Sequence, residues 1–439
     1  MKYDATIIGA GIGGLAAGAS LSFAGYKPLI LEKQDVIGGR YYAGDYKGYR
    51  LTNAAWYILG PDGPVMQLAR DAGLESKLEI ASAPIPYWKY WIDGKFFDMP
   101  EKGGAKALLS LVAKPEEVAK VLTPLTKALR WQEPSDNISF REWLSAYTDN
   151  NGIFKIYEMM VHNVTGAKLD TVPAGEFIRI LRHLGTWGSR WLLPRGHVRP
   201  LTDGFADAVK ANGGDIWTKA RVKKIVIEDL TAKGVIIERD GKEINIESQV
   251  VINNCPPRDM IKLAGEENFD KGYLKQIYNM KSSGMINVYW GCDRLVLDYA
   301  GPICYPMEEP SFIAVDYSLT WPDLTPEGKY SLLAGGDLPA EPYDATDLEK
   351  CIERLEEKVY EHFPVLKEHG EVLVVQVFHK TWPGIWAIPG EDIENKSPVE
   401  NLYVVGDGAK PSGTAAAEGA VAGANLVVED IKRRIKPVS

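Results

Sequence analysis

Residues 4–14 read Asp-Ala-Thr-Ile-Ile-Gly-Ala-Gly-Ile-Gly-Gly, and this stretch decides the fold. Its first half is short, apolar and β-branched, which is typical of a buried parallel strand. Gly9 permits a tight turn out of that strand, Gly11 permits close approach of the backbone to a pyrophosphate, and Gly14 permits the next helix to pack on the sheet. The helix predicted over 15–24 directs its free N-terminal amides at the phosphates. The stretch therefore predicts a strand, turn and helix that bind a dinucleotide.

An acidic residue follows at the spacing that such a unit needs. A second strand is predicted over 28–31 and runs into Glu32, eighteen positions after Gly14. A carboxylate at this place accepts hydrogen bonds from a ribose hydroxyl. The candidate cofactor-binding residues of this unit are Gly9, Gly11, Gly13, Gly14, Glu32 and its neighbour Lys33.

Length and composition limit the class of protein. The chain has 439 residues, 45% hydrophobic and 25% charged, which is enough for two or three globular domains. Its net charge of −9 argues against nucleic acid as a partner, because phosphate binding needs a basic face. The four cysteines have no CxxC spacing, which predicts neither disulfides nor a metal site and fits a reducing compartment. The first strand begins at once, without a signal region, so we predict a cytoplasmic protein.

Just after the dinucleotide unit comes Gly38-Gly39-Arg40. Together with the glycine fingerprint and Glu32, it resembles the FAD-binding signature of the flavin amine oxidase and phytoene desaturase superfamily, which includes protoporphyrinogen oxidases. The resemblance implies an α/β fold, in which a Rossmann-like FAD-binding domain of the glutathione reductase type carries an inserted α+β substrate domain. It also implies that Gly39 and Arg40 lie at the FAD phosphates.

A second motif of the superfamily closes the chain. A strand predicted over 402–405 ends in Gly406-Asp407-Gly408, and Pro411-Ser412-Gly413-Thr414 precedes a helix from residue 416. The resemblance implies that Asp407, with Gly406 and Gly413 beside it, binds the ribityl chain or pyrophosphate, and that amides near Ala417 face the flavin pyrimidine. A helix N-terminus stabilises the negative charge of reduced flavin. No cysteine follows Cys351, so we predict non-covalent FAD.

Shorter resemblances suggest further site residues. Thr52 and Ala54 stand where the superfamily usually carries an Asp-x-Gly segment against the flavin, and Leu193 to His197 resembles its Pro-x-Gly-Gly segment with His197 in place of the second glycine. Val222 matches the position whose backbone meets the adenine. The large apolar rings of tryptophan and tyrosine are suited to a pocket wall, although ordinary core packing explains these residues equally well. The candidate catalytic and pocket residues are Trp56, Tyr57, His197, Trp382 and Trp386.

Residues 177–202 form an unusually basic stretch. It contains five arginines and no aspartate or glutamate. Arginine binds carboxylate and phosphate groups bidentately, so Arg195 is a candidate for holding an anionic substrate end. Salt bridges between domains are the alternative explanation. The amphipathic, lysine-containing stretch 105–131 similarly favours a solvated helix pair, with peripheral contact at a membrane surface as the alternative.

These observations favour an FAD-dependent dehydrogenase or desaturase. We expect it to take a hydride from an apolar or flat small-molecule substrate, with or without an anionic end, and to pass electrons to a quinone or to oxygen. Many amine oxidases carry a lysine in the strand that corresponds to residues 282–291, and none occurs here. A flavin amine oxidase, a flavin-dependent isomerase and a non-enzymatic prenyl-binding escort protein remain alternatives. The predicted FAD-binding domain comprises 1–75, 195–258 and 392–439, and the substrate domain comprises 76–194 and 259–391.

Overall fold

A computed structural model describes residues 2–82, 88–100, 103–188, 191–338 and 344–438 of the chain. Arg190 of the basic stretch lies outside these residues. The helices are α1 Ile12–Phe23, α2 Pro64–Asp71, α3 Gly104–Leu109, α4 Pro115–Arg130, α5 Phe140–Ser145, α6 Asn151–Thr165, α7 Ala174–Thr186, α8 Arg199–Ala211, α9 Pro257–Ala264, α10 Lys271–Asn279, α11 Ala345–His362, α12 Val365–His369 and α13 Ala416–Arg434. The strands are β1 Lys2–Ile8, β2 Pro28–Leu31, β3 Ala43–Tyr46, β4 Tyr49–Thr52, β5 Ile58–Leu59, β6 Ile80–Ser82, β7 Lys89–Ile92, β8 Lys95–Asp98, β9 Trp191–Pro194, β10 Asp215–Trp217, β11 Arg221–Glu228, β12 Thr231–Arg239, β13 Lys242–Asn253, β14 Met285–Cys292, β15 Ile303–Tyr305, β16 Phe312–Val315, β17 Tyr330–Asp337, β18 Gly370–Phe378 and β19 Leu402–Val404.

The first sheet has the strand order β10-β2-β1-β13-β12-β11, with β19 also paired to β13. Strands β10, β2, β1, β13 and β19 run parallel, and β11 and β12 extend the sheet as antiparallel strands. The parallel strands are apolar on both sides because helices cover both faces of such a sheet. Strand β2 begins and ends as the sequence predicts, and the predicted mixed α/β fold is confirmed.

Helix α1 packs on this sheet between α8 and α13. It contains Ala and Gly at most of its buried positions, which lets neighbouring helices approach closely. A Cβ atom on Gly18 would come within 2.6 Å of the Ile30 side chain of β2. The small residues therefore place the N-terminus of α1 directly beyond the end of β1.

The second sheet has the order β18-β14-β17-β16-β15-β7-β8 and is antiparallel except where β15 pairs with β7. Helices α11 and α12 pack over one face, around Trp290 and Tyr305. The opposite face turns toward helices α3 to α7 and contributes Tyr289 and Leu333 to their core. All strands of the first sheet fall in the segments predicted for FAD binding, and all strands of the second fall in the others. The exact division into domains stays a prediction.

The amphipathic stretch forms α3 and α4, separated by a short turn. Pro115 occupies the first turn of α4, where its missing N–H costs nothing, and Pro124 lies inside the helix. Val118, Val121 and Leu125 are buried on one side of α4. Across the part of the chain that the structure describes, no helix is both long and apolar enough to cross a bilayer.

Candidate active site

A cavity of about 1040 Å³ opens at the carboxyl ends of β1 and β2 and extends to the second sheet. Ligand pockets usually measure about 300 to 1,000 Å³, so this one has room for a large cofactor together with a substrate. Its wall combines residues of the glycine turn, the Gly39-Arg40 segment, the C-terminal motif and strands β14, β17 and β18. Of the predicted cofactor-binding residues, those that line the cavity are Gly9, Gly11, Gly13, Glu32, Lys33, Gly39, Arg40, Val222, Gly406, Asp407 and Ala417.

The glycine turn is packed so tightly that side chains would fill it. A Cβ atom on Gly13 would lie 2.7 Å from Oδ1 of Asn254 and 2.9 Å from the backbone nitrogen of Gly406. Gly14 does not line the cavity, because a Cβ atom there would lie 2.2 Å from the Gly9 carbonyl oxygen. A side chain would clash at either position: Gly13 allows the turn to pack against Asn254 and Gly406, and Gly14 allows α1 to approach β1.

Glu32 lies at the carboxyl end of β2, on the cavity wall. Its Oε2 accepts a hydrogen bond from the Ala10 amide at 3.0 Å, and its Oε1 accepts one from the Gln34 amide at 2.9 Å. These bonds hold the carboxylate beside the glycine turn. A carboxylate has further acceptor sites beyond these two bonds, so it is able to accept from a ribose hydroxyl as well.

Arg40 and Asp407 form an ion pair that joins the two sequence motifs. Nη1 of Arg40 lies 2.6 Å from Oδ2 of Asp407 and donates to the Gly384 carbonyl oxygen at 2.6 Å. The Trp386 amide also donates to Oδ2 at 3.1 Å. Burial alone would raise the pKa of the Asp407 carboxyl, but the guanidinium of Arg40 outweighs this effect and the pKa is lowered. Asp407 is therefore a carboxylate at the cavity wall.

Helix α13 begins at the cavity without a side-chain cap. Ala417 lines the cavity there, whereas Gly413 lies outside it and donates its amide to Oε1 of Glu176 at 2.6 Å. Glu418, in the first turn, is buried, and its Oε2 accepts from the Val65 amide at 2.8 Å. Its Oε1 has no hydrogen-bond partner among the described residues. Burial raises the pKa of Glu418 to about 8, so the carboxyl is mostly neutral at pH 7.

These features fit a flavin dinucleotide. The amide ends of α1 and α13, both uncapped by side chains, face one cavity and are suited to anionic groups. The carboxylate of Glu32 lies beside the glycine turn, and the guanidinium of Arg40 lies on the same cavity wall. Gly9, Gly11 and Gly13 present only backbone atoms to the cavity, so a phosphate group would be able to approach the chain closely. Glu32, the glycine turn, Arg40 and Asp407 are therefore the residues that would hold FAD.

The position before the aromatic wall has a strained backbone. Ala54 has a φ of +92°, a value that glycine adopts readily and alanine does not. The resemblance places a glycine at this position in the superfamily, and the φ of Ala54 lies in the region that favours glycine. Ala54 also lines the cavity, so the strain is located at the site.

We expect Ala54→Gly to raise the free energy of unfolding by about 1 kcal/mol. Relief of a strained φ raises the free energy of unfolding by about 1–3 kcal/mol. The greater conformational freedom of glycine in the unfolded chain lowers it by about 0.4–1 kcal/mol. Urea titration measures the change. Ala55→Gly is the matched control and should be destabilising, since Ala55 has no positive φ. An Ala54→Gly protein less stable than the wild type would contradict this account.

Aromatic residues form part of the cavity wall, as predicted. Trp56 and Tyr57 line it, and the ring of Tyr57 stacks on Trp191 with centroids 3.5 Å apart. The Tyr57 hydroxyl donates to the Asn163 carbonyl oxygen at 2.7 Å. Trp382 and Trp386 line the cavity from the segment before β19. The first two are held rigidly by ring contacts, whereas Trp382 is 41% exposed at the rim.

Two of the residues predicted for catalysis or substrate binding, His197 and Arg195, lie outside the cavity wall. His197 is buried, and Nε2 of its ring lies 3.1 Å from the Arg50 carbonyl oxygen. The φ of His197 is +58°, so the backbone at this position is left-handed, the conformation that favours glycine. Burial lowers the pKa of His197 to about 4, so it is neutral. The side chain does not line the cavity, so this geometry gives no support to the catalytic role predicted for His197, and that role stays a prediction.

Arg195 is likewise absent from the wall and binds two surface carboxylates, Glu79 at 3.0 Å and Asp323 at 3.1 Å. The other described arginines of the stretch, Arg179, Arg182 and Arg199, also pair with acids. For Arg179 and Arg182 the partners include Asp136 and Glu133 from a distant part of the sequence, whereas Arg199 pairs with Asp203 on its own helix. The structure therefore favours salt bridging over anion recognition for this stretch.

Sequence reasoning missed several polar residues of the cavity. His162, Asn163, Asn287, Gln376 and Glu418 all line it. Only Glu418 had a signal, because an acid among the alanines and glycines of α13 is out of place on a buried helix. The others lie on α6, β14 and β18, which no nucleotide motif marks, and only the packing of the two sheets brings them together.

Comparison with known proteins agrees with this site. The profile of a family described as flavin containing amine oxidoreductase matches residues 12–432. An oxidoreductase from Methanosarcina mazei with a solved structure is 26% identical, covers 98% of this chain and 100% of its own, and has a TM-score of 0.85. A 15-cis-phytoene desaturase from Capsicum annuum is 24% identical over 98% of this chain and 77% of its own.

A putrescine oxidase, solved with putrescine bound, shares the fold alone. It is 17% identical, covers 99% of this chain and 100% of its own, and has a TM-score of 0.71. The family match extends from the start of α1 into the last turn of α13 and includes the Gly38-Gly39-Arg40 and Gly406-Asp407-Gly408 motifs. This protein belongs to the flavin-containing amine oxidoreductases.

Proposed function

We propose that this FAD-dependent oxidoreductase dehydrogenates an extended or flat, uncharged apolar substrate. The observation that carries the proposal is the composition of the wall that the second sheet contributes. Among the described residues, that wall contains Met285, Ile313, Leu333 and Val374 together with amides, and no carboxylate. An ammonium group buried there would lack a counter-ion, which is costly.

FAD is the family's cofactor, and in this chain no cysteine follows Cys351 to attach it covalently. When bound, FAD accepts two electrons and one hydrogen from the substrate as hydride. The chain's own residues bind and orient. Trp56 and Trp386 exclude water, and Gln376 is fixed by donating to the Thr52 carbonyl oxygen at 2.8 Å. Dry, rigid walls hold a substrate in one orientation, which is a large part of catalysis.

The relatives support the same substrate class. The desaturase from Capsicum annuum acts on 15-cis-phytoene, as its name states. The anionic substrate end considered from the sequence has no support, since Arg195 is held by Glu79 and Asp323. An escort role without redox activity is not supported either, because the chain belongs to a family of oxidoreductases and keeps Glu32, Arg40 and Asp407 together at one cavity.

Contact with a membrane surface is part of this proposal, because an extended apolar substrate dissolves in lipid. Trp131 follows α4 and is 76% exposed. Lys120, Lys127 and Arg130 are exposed on the same helix. An exposed tryptophan beside cations is typical of interfacial helices.

Anaerobic reduction of the bound flavin tests the proposed function. We expect 15-cis-phytoene or squalene, delivered in anionic vesicles, to bleach the flavin absorbance, and putrescine to leave it unchanged. Reduced enzyme should then react slowly with air-saturated buffer and quickly with a soluble quinone, since no lysine occurs in residues 282–291. Bleaching by putrescine with release of hydrogen peroxide would favour the amine oxidase alternative. No bleaching by either hydrocarbon would overturn the proposal.

A further inference from the structure

His162 lies between the main cavity and a second pocket. It occupies the last turn of α6 and lines the main cavity. Its Nδ1 is 2.6 Å from a carboxylate oxygen of Asp337, the last residue of β17. Asp337 in turn lines a separate polar pocket of about 680 Å³, together with Glu158, Lys155 and Lys168. The His162–Asp337 pair therefore connects an apolar cavity with a polar one.

The second ring nitrogen of His162 is free for chemistry. Because Nδ1 faces Asp337, Nε2 is the nitrogen left for the main cavity, and within the described part of the chain Nε2 has no hydrogen-bond partner. The side chain is 18% exposed. A histidine whose one nitrogen is held by a carboxylate has a defined orientation and tautomer.

Dehydrogenation creates a need for such a group. The substrate loses two electrons and two hydrogens, of which one hydrogen leaves with both electrons as hydride to FAD and the other leaves as a proton. The proton cannot stay in an apolar cavity. Of the carboxyl groups that line the cavity, Asp407 is bound to Arg40, and Glu418 is mostly neutral and held by the Val65 amide. Neither is suited to accept it.

We propose that Nε2 of His162 takes the proton that the substrate releases and then passes it to water, while Asp337 stays ionised and stabilises the imidazolium. The ring then returns to a neutral tautomer, and no net proton is left in the cavity. His162 is a catalytic residue in this account, and Asp337 positions it. The assignment rests on the proposed function.

The charges around His162 are consistent with a base that works near neutral pH. Burial alone would lower the pKa of His162, and the positive charge of Lys168 lowers it slightly further. The negative charges of Asp337 and Glu158 outweigh both effects, so the pKa is raised above 6.5. The C-terminus of α6 also favours the cation. From α11, the Cys351 thiol donates to the Asp337 carbonyl oxygen at 3.4 Å, and burial raises the pKa of that thiol, so it adds no charge. General bases act best when their pKa is close to the working pH.

Flavin reduction in variants tests the path. With 15-cis-phytoene or squalene as the probe, His162→Gln should reduce the flavin about 100-fold more slowly than wild type, within the range usual for loss of a general base. His369→Gln is the matched control, because His369 also pairs with an aspartate, Asp293 at 3.3 Å, on the surface. It should stay within twofold of wild type. FAD content and melting temperature of each variant show that the sites are intact.

The pH dependence separates catalysis from structure. The wild-type rate should rise with pH through the pKa of His162, because only the neutral ring accepts a proton. In Asp337→Asn this rise should move to lower pH, since the carboxylate that raises the pKa is gone. His162→Gln should show no such rise.

A readout without substrate is available as well. Histidine ring signals of the full-length protein, labelled with ¹³C and followed by NMR, should give a His162 pKa above 6.5 that falls in Asp337→Asn. An unchanged pKa would overturn the pairing. If neither hydrocarbon reduces the wild-type flavin, the proposed function fails and this path fails with it. If the wild type is reduced and His162→Gln matches His369→Gln, the proton path alone is overturned.

Discussion

Asp407→Asn should lower the free energy of unfolding by about 3 kcal/mol and weaken FAD retention. Arg40 and Asp407 are 21% and 12% exposed, so the pair is largely removed from water. Loss of one partner of a buried ion pair costs about 3–5 kcal/mol, because the remaining charge is left without compensation. The lower end applies here, since Arg40 keeps its bond to the Gly384 carbonyl oxygen.

The measurement is urea unfolding of protein freed of FAD, together with flavin absorbance after gel filtration of the holoprotein. Removing FAD first is necessary because a bound ligand stabilises the folded state by mass action. Asp45→Asn is the control, since Asp45 pairs with Arg50 at 2.9 Å where both side chains are at least 36% exposed. Surface pairs contribute about 0–1 kcal/mol. Equal losses in the two variants would contradict the importance given to the buried pair.

The wild type should lose stability as the pH rises, and Glu418→Gln should lose much less. The folded protein keeps the Glu418 proton up to about pH 8, whereas the unfolded chain releases it above about 4.5. Between these values the unfolded state binds fewer protons, so the free energy of unfolding falls as the pH rises. The full effect of this shift is on the order of 5 kcal/mol.

Urea unfolding at pH 5 and pH 8 measures this dependence. The wild-type protein should lose more stability between the two values than Glu418→Gln does, and the difference isolates this carboxyl because the other titrating groups are shared. Glu429→Gln, on the exposed side of the same helix, should behave as the wild type. A Glu418→Gln protein with the wild-type pH dependence would show that the carboxyl is ionised or solvated in the folded state.

Much of the nucleotide half could be predicted, because its signals are local. Gly9, Gly11 and Gly14 are required within a few residues by one turn and one helix contact, and Glu32 follows at the end of the next strand. Strand period, glycine spacing and a terminal acid are read over about thirty residues, within which the backbone itself sets the geometry.

The substrate half could not be predicted to the same depth. The distance between His162 and Asp337 along the chain is 175 residues, and nothing near either residue indicates the other. His197 occupied a promising position in the sequence, yet its side chain packs beside Tyr317 and away from the cavity. Arg195 looked free for an anion until the fold brought Glu79 and Asp323 to it.

The sequence by itself determined the Rossmann-like unit and the type of cofactor, and it predicted residues to hold that cofactor. These depend on hydrogen bonds and close contacts among neighbours in the chain. Only the tertiary structure decided which polar groups share the cavity, that Arg40 pairs with Asp407, and that Glu418 is buried in its neutral form. Those properties depend on desolvation and on charges brought together from distant segments, and both are set by how the two sheets pack.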